Sequence, residues 1–222
     1  MHHIVNTTDS RPAARRFGTS ERACSLLAIC ALLLVACGAG ANTVDQLAGG
    51  ATIPAGVTFD ADVTITPADV TVDWSVENRS TTELLVPILV SHKDVKPEGN
   101  AYVVPAGDHI EIAERLFVWP DEVEELAVTP SVGALRIRPG TTESRTIRVP
   151  RPFKPYHPFG GGFDDGPPAL PSHPEGVVFC LGVVPDPYPP PLKLDTAKGV
   201  EFVAHGWDAQ QYRFCTDPVA VE

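Results

Sequence analysis

Between residues 70 and 77 the chain alternates strictly: Val70, Val72, Trp74 and Val76 interleave with Thr71, Asp73, Ser75 and Glu77. Side chains of an extended strand point alternately to opposite faces, so this period of two predicts a strand with one face buried. Asn78-Arg79-Ser80 follows as a turn. It also matches the N-glycosylation pattern, but the turn chemistry of Asn and Ser accounts for it without modification. Further strand-like runs cover residues 57–65, 84–90, 101–104, 109–117, 134–138, 144–149, 177–184, 200–204 and 211–215. Pro105-Ala106-Gly107-Asp108 and Pro139-Gly140 break the series into hairpin-sized pieces. Pro87 inside one run predicts an edge strand or a bulge, since proline lacks the ladder N–H. The one plausible helical turn is 121–126, after Trp119-Pro120 and with acids at its start. The expectation is an all-β chain forming an antiparallel sandwich.

Strands of this length and spacing suit an immunoglobulin-like β-sandwich in particular. The Trp74 strand, with Arg136-Ile137-Arg138-Pro139-Gly140 and Ile147-Arg148-Val149, resembles bacterial immunoglobulin-like lipoprotein domains over residues 57–150. The resemblance implies that fold and no particular activity, because sandwich folds are shared without shared function.

From Pro150 to about residue 175 the composition shifts to Pro150, Pro152, Pro155, Pro158, Gly160-Gly161-Gly162 and Pro167-Pro168. A loop this long inside a domain is either functional or disordered. Phe153, Tyr156, Phe159 and Phe163 within it predict packing, because burying one aromatic gains roughly 1.5–3 kcal/mol. The prolines and glycines are expected to keep the loop out of the sheet ladder, so that at least one ring stays exposed. The four aromatics are the candidate interaction surface.

Ahead of the strands, Arg11, Arg15, Arg16 and Arg22 precede an apolar run from Ser25 to Val35 that is too short to span a bilayer. A charged start, an apolar run and small residues at its end describe an export signal. Leu34-Val35-Ala36-Cys37 resembles the lipobox of bacterial lipoproteins. That resemblance implies cleavage before Cys37, a diacylglyceryl thioether on its sulfur and acylation of the new amino terminus. Two or more acyl chains hold a protein durably on a membrane. The expected organisation is a signal peptide at 1–36, a flexible Gly/Ala/Thr spacer at 37–56 and a sandwich domain at 57–222.

Four of the 17 basic and two of the 28 acidic residues precede Cys37, leaving 13 basic against 26 acidic, a net charge of −13. Such a charge repels nucleic acid and anionic lipid head groups. Of five cysteines, Cys24 and Cys30 leave with the signal, which leaves Cys180 and Cys215 for the domain. Outside the cytoplasm two cysteines most simply form a disulfide, with Cα atoms roughly 4.4–6.8 Å apart. No Cys-x-x-Cys spacing marks them as a redox pair.

Chemistry is faint. His157 and His173 flank Asp164-Asp165, and His205 lies near Asp208, but no zinc or EF-hand ligand spacing is present. There is no Gly-x-Ser-x-Gly elbow, no free thiol once Cys180 and Cys215 pair, and no phosphate-binding glycine loop. The expectation is a cofactor-free, non-catalytic and monomeric lipoprotein on the outer face of the cell membrane, or on an outer membrane. It would bind an envelope protein. A metal-binding protein using His157, His173, Asp164 and Asp165 is the alternative, and a hydrolase with unmarked carboxylates the third.

Overall fold

The computed structural model describes residues 43–45, 53–89, 101–121, 123, 130–160, 163, 165–188, 201–206 and 211–221. These fall within the unit Ala39–Glu222. Just over half of them are in strands, and no α-helix occurs among them. The strands are β1 (Thr43–Asp45), β2 (Val57–Ile65), β3 (Asp69–Asn78), β4 (Leu84–Ile88), β5 (Tyr102–Ala106), β6 (His109–Glu114), β7 (Ser131–Ile137), β8 (Thr141–Pro150), β9 (Gly176–Pro185), β10 (Glu201–Ala204), β11 (Tyr212–Cys215) and β12 (Val219–Ala220).

Two sheets pack face to face. The smaller has the order β2-β3-β8. Its inner face is the alternating set read from the sequence: Val70, Val72, Trp74 and Val76 are all 2% exposed or less, joined by Ile147 and Val149. The larger sheet runs β1-β11-β9-β4-β7-β10, with the β5–β6 hairpin and β12 also attached to β9. Its face toward the smaller sheet supplies Leu84, Val86, Ile110, Ile112, Val177, Phe179, Leu181 and Val183 to a common core. Phe59 stacks on Phe214 across this interface with ring centroids 5.3 Å apart.

The larger sheet is buried on its other face as well. Leu85, Tyr102, Val104, Ala113, Val132, Ala134, Val184 and Val203 form a second apolar cluster there. Hence β4 is buried at every position and β9 at all but two, without the alternation of a half-exposed strand. β9 is the junction. Its first half pairs parallel with β6, its end pairs antiparallel with β4, and β11 and β12 line the opposite edge.

Pro87 pairs with Ala134 of β7 inside the sheet. The Glu83 carbonyl accepts from Asp186 on the β9 side, so residues 85 and 87 direct their backbone polar groups the same way. Pairing with β9 ends at Leu85, so the N–H that Pro87 lacks has no ladder partner to lose. Asn78 closes β3 while fully buried: Nδ2 donates to the carbonyls of Thr82 and Ile137, and Oδ1 accepts from Ser80. It is a turn organiser. The expected helix at 121–126 lies mostly outside the described residues; Val123 closes a turn by donating to the Pro120 carbonyl. The expected spacer contributes β1, which pairs with β11. Residues 1–42 and 46–52 lie outside the described residues, and with them Cys37. Among the described residues no helix is long and apolar enough to cross a membrane.

Gly182 is where β9 admits a foreign side chain. A Cβ there would meet Gln211 Oε1 at 2.0 Å. Gln211 lies across it because its amide pairs with backbone like a short strand, accepting from Leu116 N–H at 2.9 Å and donating to the Leu116 carbonyl at 2.7 Å.

Cys180 and Cys215 face each other across β9 and β11 and are bonded, with Cα atoms 4.2 Å apart, slightly closer than the expected range. The 35-residue separation lets the bond restrict the unfolded chain. Replacing both cysteines by Ala should lower unfolding stability by roughly 3–4 kcal/mol on the chain-entropy model, read from denaturant midpoints of oxidised protein. An unchanged midpoint would show that the staple adds nothing to the sheet.

Candidate functional site

The second face of the large sheet needs a cover, and the proline-rich loop supplies it. Phe159 is fully buried there and Phe163 packs beside it half-buried, while Phe153 turns to the inter-sheet core. Tyr156 remains 40% exposed. The loop does touch the ladder at one point, contrary to the sequence expectation: Tyr156 N–H donates to the Val103 carbonyl at 2.8 Å and its carbonyl accepts from Val103 N–H at 3.0 Å. Pro155 and Pro158 on either side of that pair have no N–H to continue it.

Around Tyr156 the rings are contiguous. Tyr102 stacks on Tyr156 at 5.2 Å and meets Phe117 edge-on at 5.3 Å. His157 lies edge-on to Phe117 at 5.0 Å and to Phe163 at 5.3 Å. Trp119 rests on Phe159 at 5.5 Å, its indole N–H donating to the Val123 carbonyl. The Arg115 guanidinium sits 3.8 Å above the Phe117 ring and is ion-paired to Glu111 at 2.6 Å. At the rim, Val118, Trp119 and Tyr156 are the exposed large apolar residues among those described.

His205 is buried beneath the rings. Phe117 N–H donates to its Nδ1, so the proton of the neutral imidazole sits on Nε2 and is donated to Tyr102 Oη at 2.9 Å. Burial, then the neighbouring His157 and Arg115, push its pKa down to about 3. His157, whose Nδ1 accepts from Phe159 N–H, is pushed down to about 4 by burial and Arg115. Tyr102 is driven upward by burial. Near neutral pH all three are uncharged and pack as rings with polar edges.

Among the described residues, those of the metal alternative form no site. His157 belongs to the ring cluster, His173 pairs with Ser172 Oγ at the surface, Asp165 is exposed, and Asp164 lies outside the described residues, as does Asp208. Among the described residues no three His, Cys, Asp or Glu side chains converge. A groove beside the β2–β3 turn has Arg151 as the charged group of its lining, and that guanidinium donates to the Thr66 carbonyl at 2.8 Å.

Between the sheets lies a buried charge. Glu114 is 1% exposed; Trp74 Nε1 donates to its Oε2 at 2.9 Å and Arg145 Nε stands 3.3 Å from Oε1. Burial raises its pKa to about 7, outweighing the opposing pull of Arg145 and the indole. The sequence carried a signal for this group. Glu114 continues the inward set Ile110, Ile112, and Arg145 precedes Ile147 and Val149 on the same alternation, so both are charges at core positions. Tyr102 and His205 left no comparable trace, because only the tertiary fold joins them. No protein-family model, curated protein or solved structure matches this chain.

The raised pKa has a signed consequence. Unfolded Glu titrates near 4.5 and the folded group near 7, so between these values the folded state holds a proton that the unfolded state has released. The contribution of Glu114 to stability is therefore full below about pH 4.5 and lost as pH rises through about 7. The depressed histidines act oppositely, so the difference between variant and wild type isolates the carboxyl. In thermal melts from pH 4.5 to 7.5, Glu114→Gln should become progressively less destabilised relative to wild type as pH rises. A pH-independent difference would place the Glu114 pKa at its ordinary value.

Proposed function

We propose that this chain is a lipid-anchored cell-envelope protein whose β-sandwich is a non-catalytic interaction module of immunoglobulin-like plan. The strand pairing supports that plan. β2-β3-β8 follows the A-B-E order of such domains and β4-β9-β11 the C-F-G order, with β7 beside β4 as a C′ strand. The β5–β6 hairpin and β10 are additions. Two features depart from antibody-type domains: the disulfide joins the F and G equivalents, and Trp74 sits on the B equivalent.

One observation carries the interaction reading: the loop is held by buried Phe159 yet leaves Tyr156 at 40% exposure, while Trp119, which rests on Phe159, is 38% exposed and Val118 52%. Tyr and Trp are enriched at interface hot spots, where a rigid apolar face with a polar tip contributes most. Anchor and surface separate cleanly by mutation. Phe159→Ala should destabilise the domain by roughly 3–5 kcal/mol. Tyr156→Ala removes one stacked pair worth roughly 0.5–1.5 kcal/mol and should abolish capture of an envelope protein by the immobilised chain. If Tyr156→Ala and Trp119→Ala both retain the full set of captured proteins, this rim is cover alone.

Lipid anchoring rests on Leu34-Val35-Ala36-Cys37. Cys37→Ser should abolish incorporation of labelled fatty acid and leave the segment before residue 37 uncleaved. A variant that is still processed and still partitions into detergent would refute the anchor while leaving the sandwich reading intact.

A further inference from the structure

Among the described residues, β2 pairs only with β3, and its stretch from Ala61 to Ile65 has no strand along the outer edge and carries no proline. We propose that this edge receives an extended, cationic segment of a partner protein as a fourth strand of the smaller sheet. This surface is separate from the loop rim, and its test does not depend on that reading.

Backbone direction comes first. The Gly56 carbonyl accepts from Arg79 N–H, and Thr66 N–H donates to the Asp69 carbonyl, so even-numbered residues of β2 turn their polar groups toward β3. Ala61 and Val63 therefore direct N–H and C=O outward, the template used in β-strand addition. The side-chain pattern agrees. Val57, Ala61, Val63 and Ile65 are only half-buried although they face inward, while Val70, Val72 and Val76 one strand further in are fully buried. An added strand would cover that strip.

Charge selects the occupant. Asp60 and Asp62 project from the exposed side of β2, and Asp62 lies directly opposite Asp73 of β3. Like charges opposed across strands are destabilising, and cationic side chains on an adjoining strand would relieve them. Self-pairing is disfavoured: two β2 strands joined antiparallel about Ala61 would oppose Asp60 to Asp62 of the other copy. β8, the other edge of this sheet, ends at Pro150, which has no N–H to offer an added strand, and its exposed side carries Arg148 rather than aspartates. The partner segment thus alternates apolar residues over Ala61 and Val63 with Lys or Arg beside Asp60 and Asp62.

The probes are two capped peptides of the length of β2, one alternating Val with Lys and one alternating Val with Glu. Amide exchange of Ala61 and Val63 in the full chain is the readout. The Lys peptide should slow exchange at both amides, and the Glu peptide at neither. Ala61→Pro, which removes one outward N–H without touching the β3 ladder, should lose the protection. The double variant Asp60→Lys, Asp62→Lys should exchange its preference and protect with the Glu peptide, keeping the test independent of any strain from proline. No protection with either peptide, or equal protection with both, overturns the proposal. So does concentration-dependent self-association that Ala61→Pro abolishes, which would assign the edge to a second copy of this chain.

Discussion

β9 is the constraint from which the rest of the molecule follows. It is bonded along both edges and buried on both faces, and it gives Val177, Phe179, Leu181 and Val183 to one core and Val184 to the other. A strand so placed has to be apolar nearly throughout, as Val177-Val178-Phe179-Cys180-Leu181 is. It must also tolerate close approach, which explains Gly176 against the Val219 backbone and Gly182 beneath Gln211. The disulfide is set into this strand at its pairing with β11, so the covalent tie reinforces the pairing that everything else packs upon.

A sheet apolar on both faces cannot stand in water with one face bare. The smaller sheet covers one side. On the other no further sheet exists among the described residues, and the cover is made of loop. This explains why so proline-rich a segment carries so many aromatics: a backbone that cannot extend a ladder attaches through its rings. Rings large enough to seal a sheet face from a loop also reach its rim, which is how Tyr156 and Trp119 come to face solvent. Cover and exposed surface are consequences of one packing problem.

What was legible follows from where each signal resides. Alternation is local, so β2 and β3 were readable almost residue for residue, and turn chemistry marked Asn78 and Pro139-Gly140. β1 and β12 were not, because strands of three and two residues carry no periodicity and exist only through their partners. The parallel pairing of β6 with β9 across the long loop was likewise silent, since nothing in either run encodes a neighbour far along the chain. Of the candidate site, the loop aromatics were visible as a composition. Their division into buried Phe159 and exposed Tyr156 depended on which faces of the large sheet were left open, and that is a property of the assembled fold.

Glu114 shows what the inter-sheet core accepts in exchange for alignment. A carboxyl with a pKa near 7 is uncomfortable where it sits, and a hydrophobic residue of similar volume would avoid the desolvation. Its partners, however, come from β3 and β8 in one sheet while Glu114 belongs to the β5–β6 hairpin of the other. Apolar faces can slide past each other with little change in buried area, whereas an indole N–H, a guanidinium and a carboxyl meet in few relative positions. The Arg145 guanidinium adds a hydrogen bond to the Leu89 carbonyl just beyond β4, so the strand beside β9 is fixed by the same group. The cluster therefore joins β3 and β8 of one sheet to the β5–β6 hairpin of the other through directional contacts, which hold in fewer relative placements than apolar packing does.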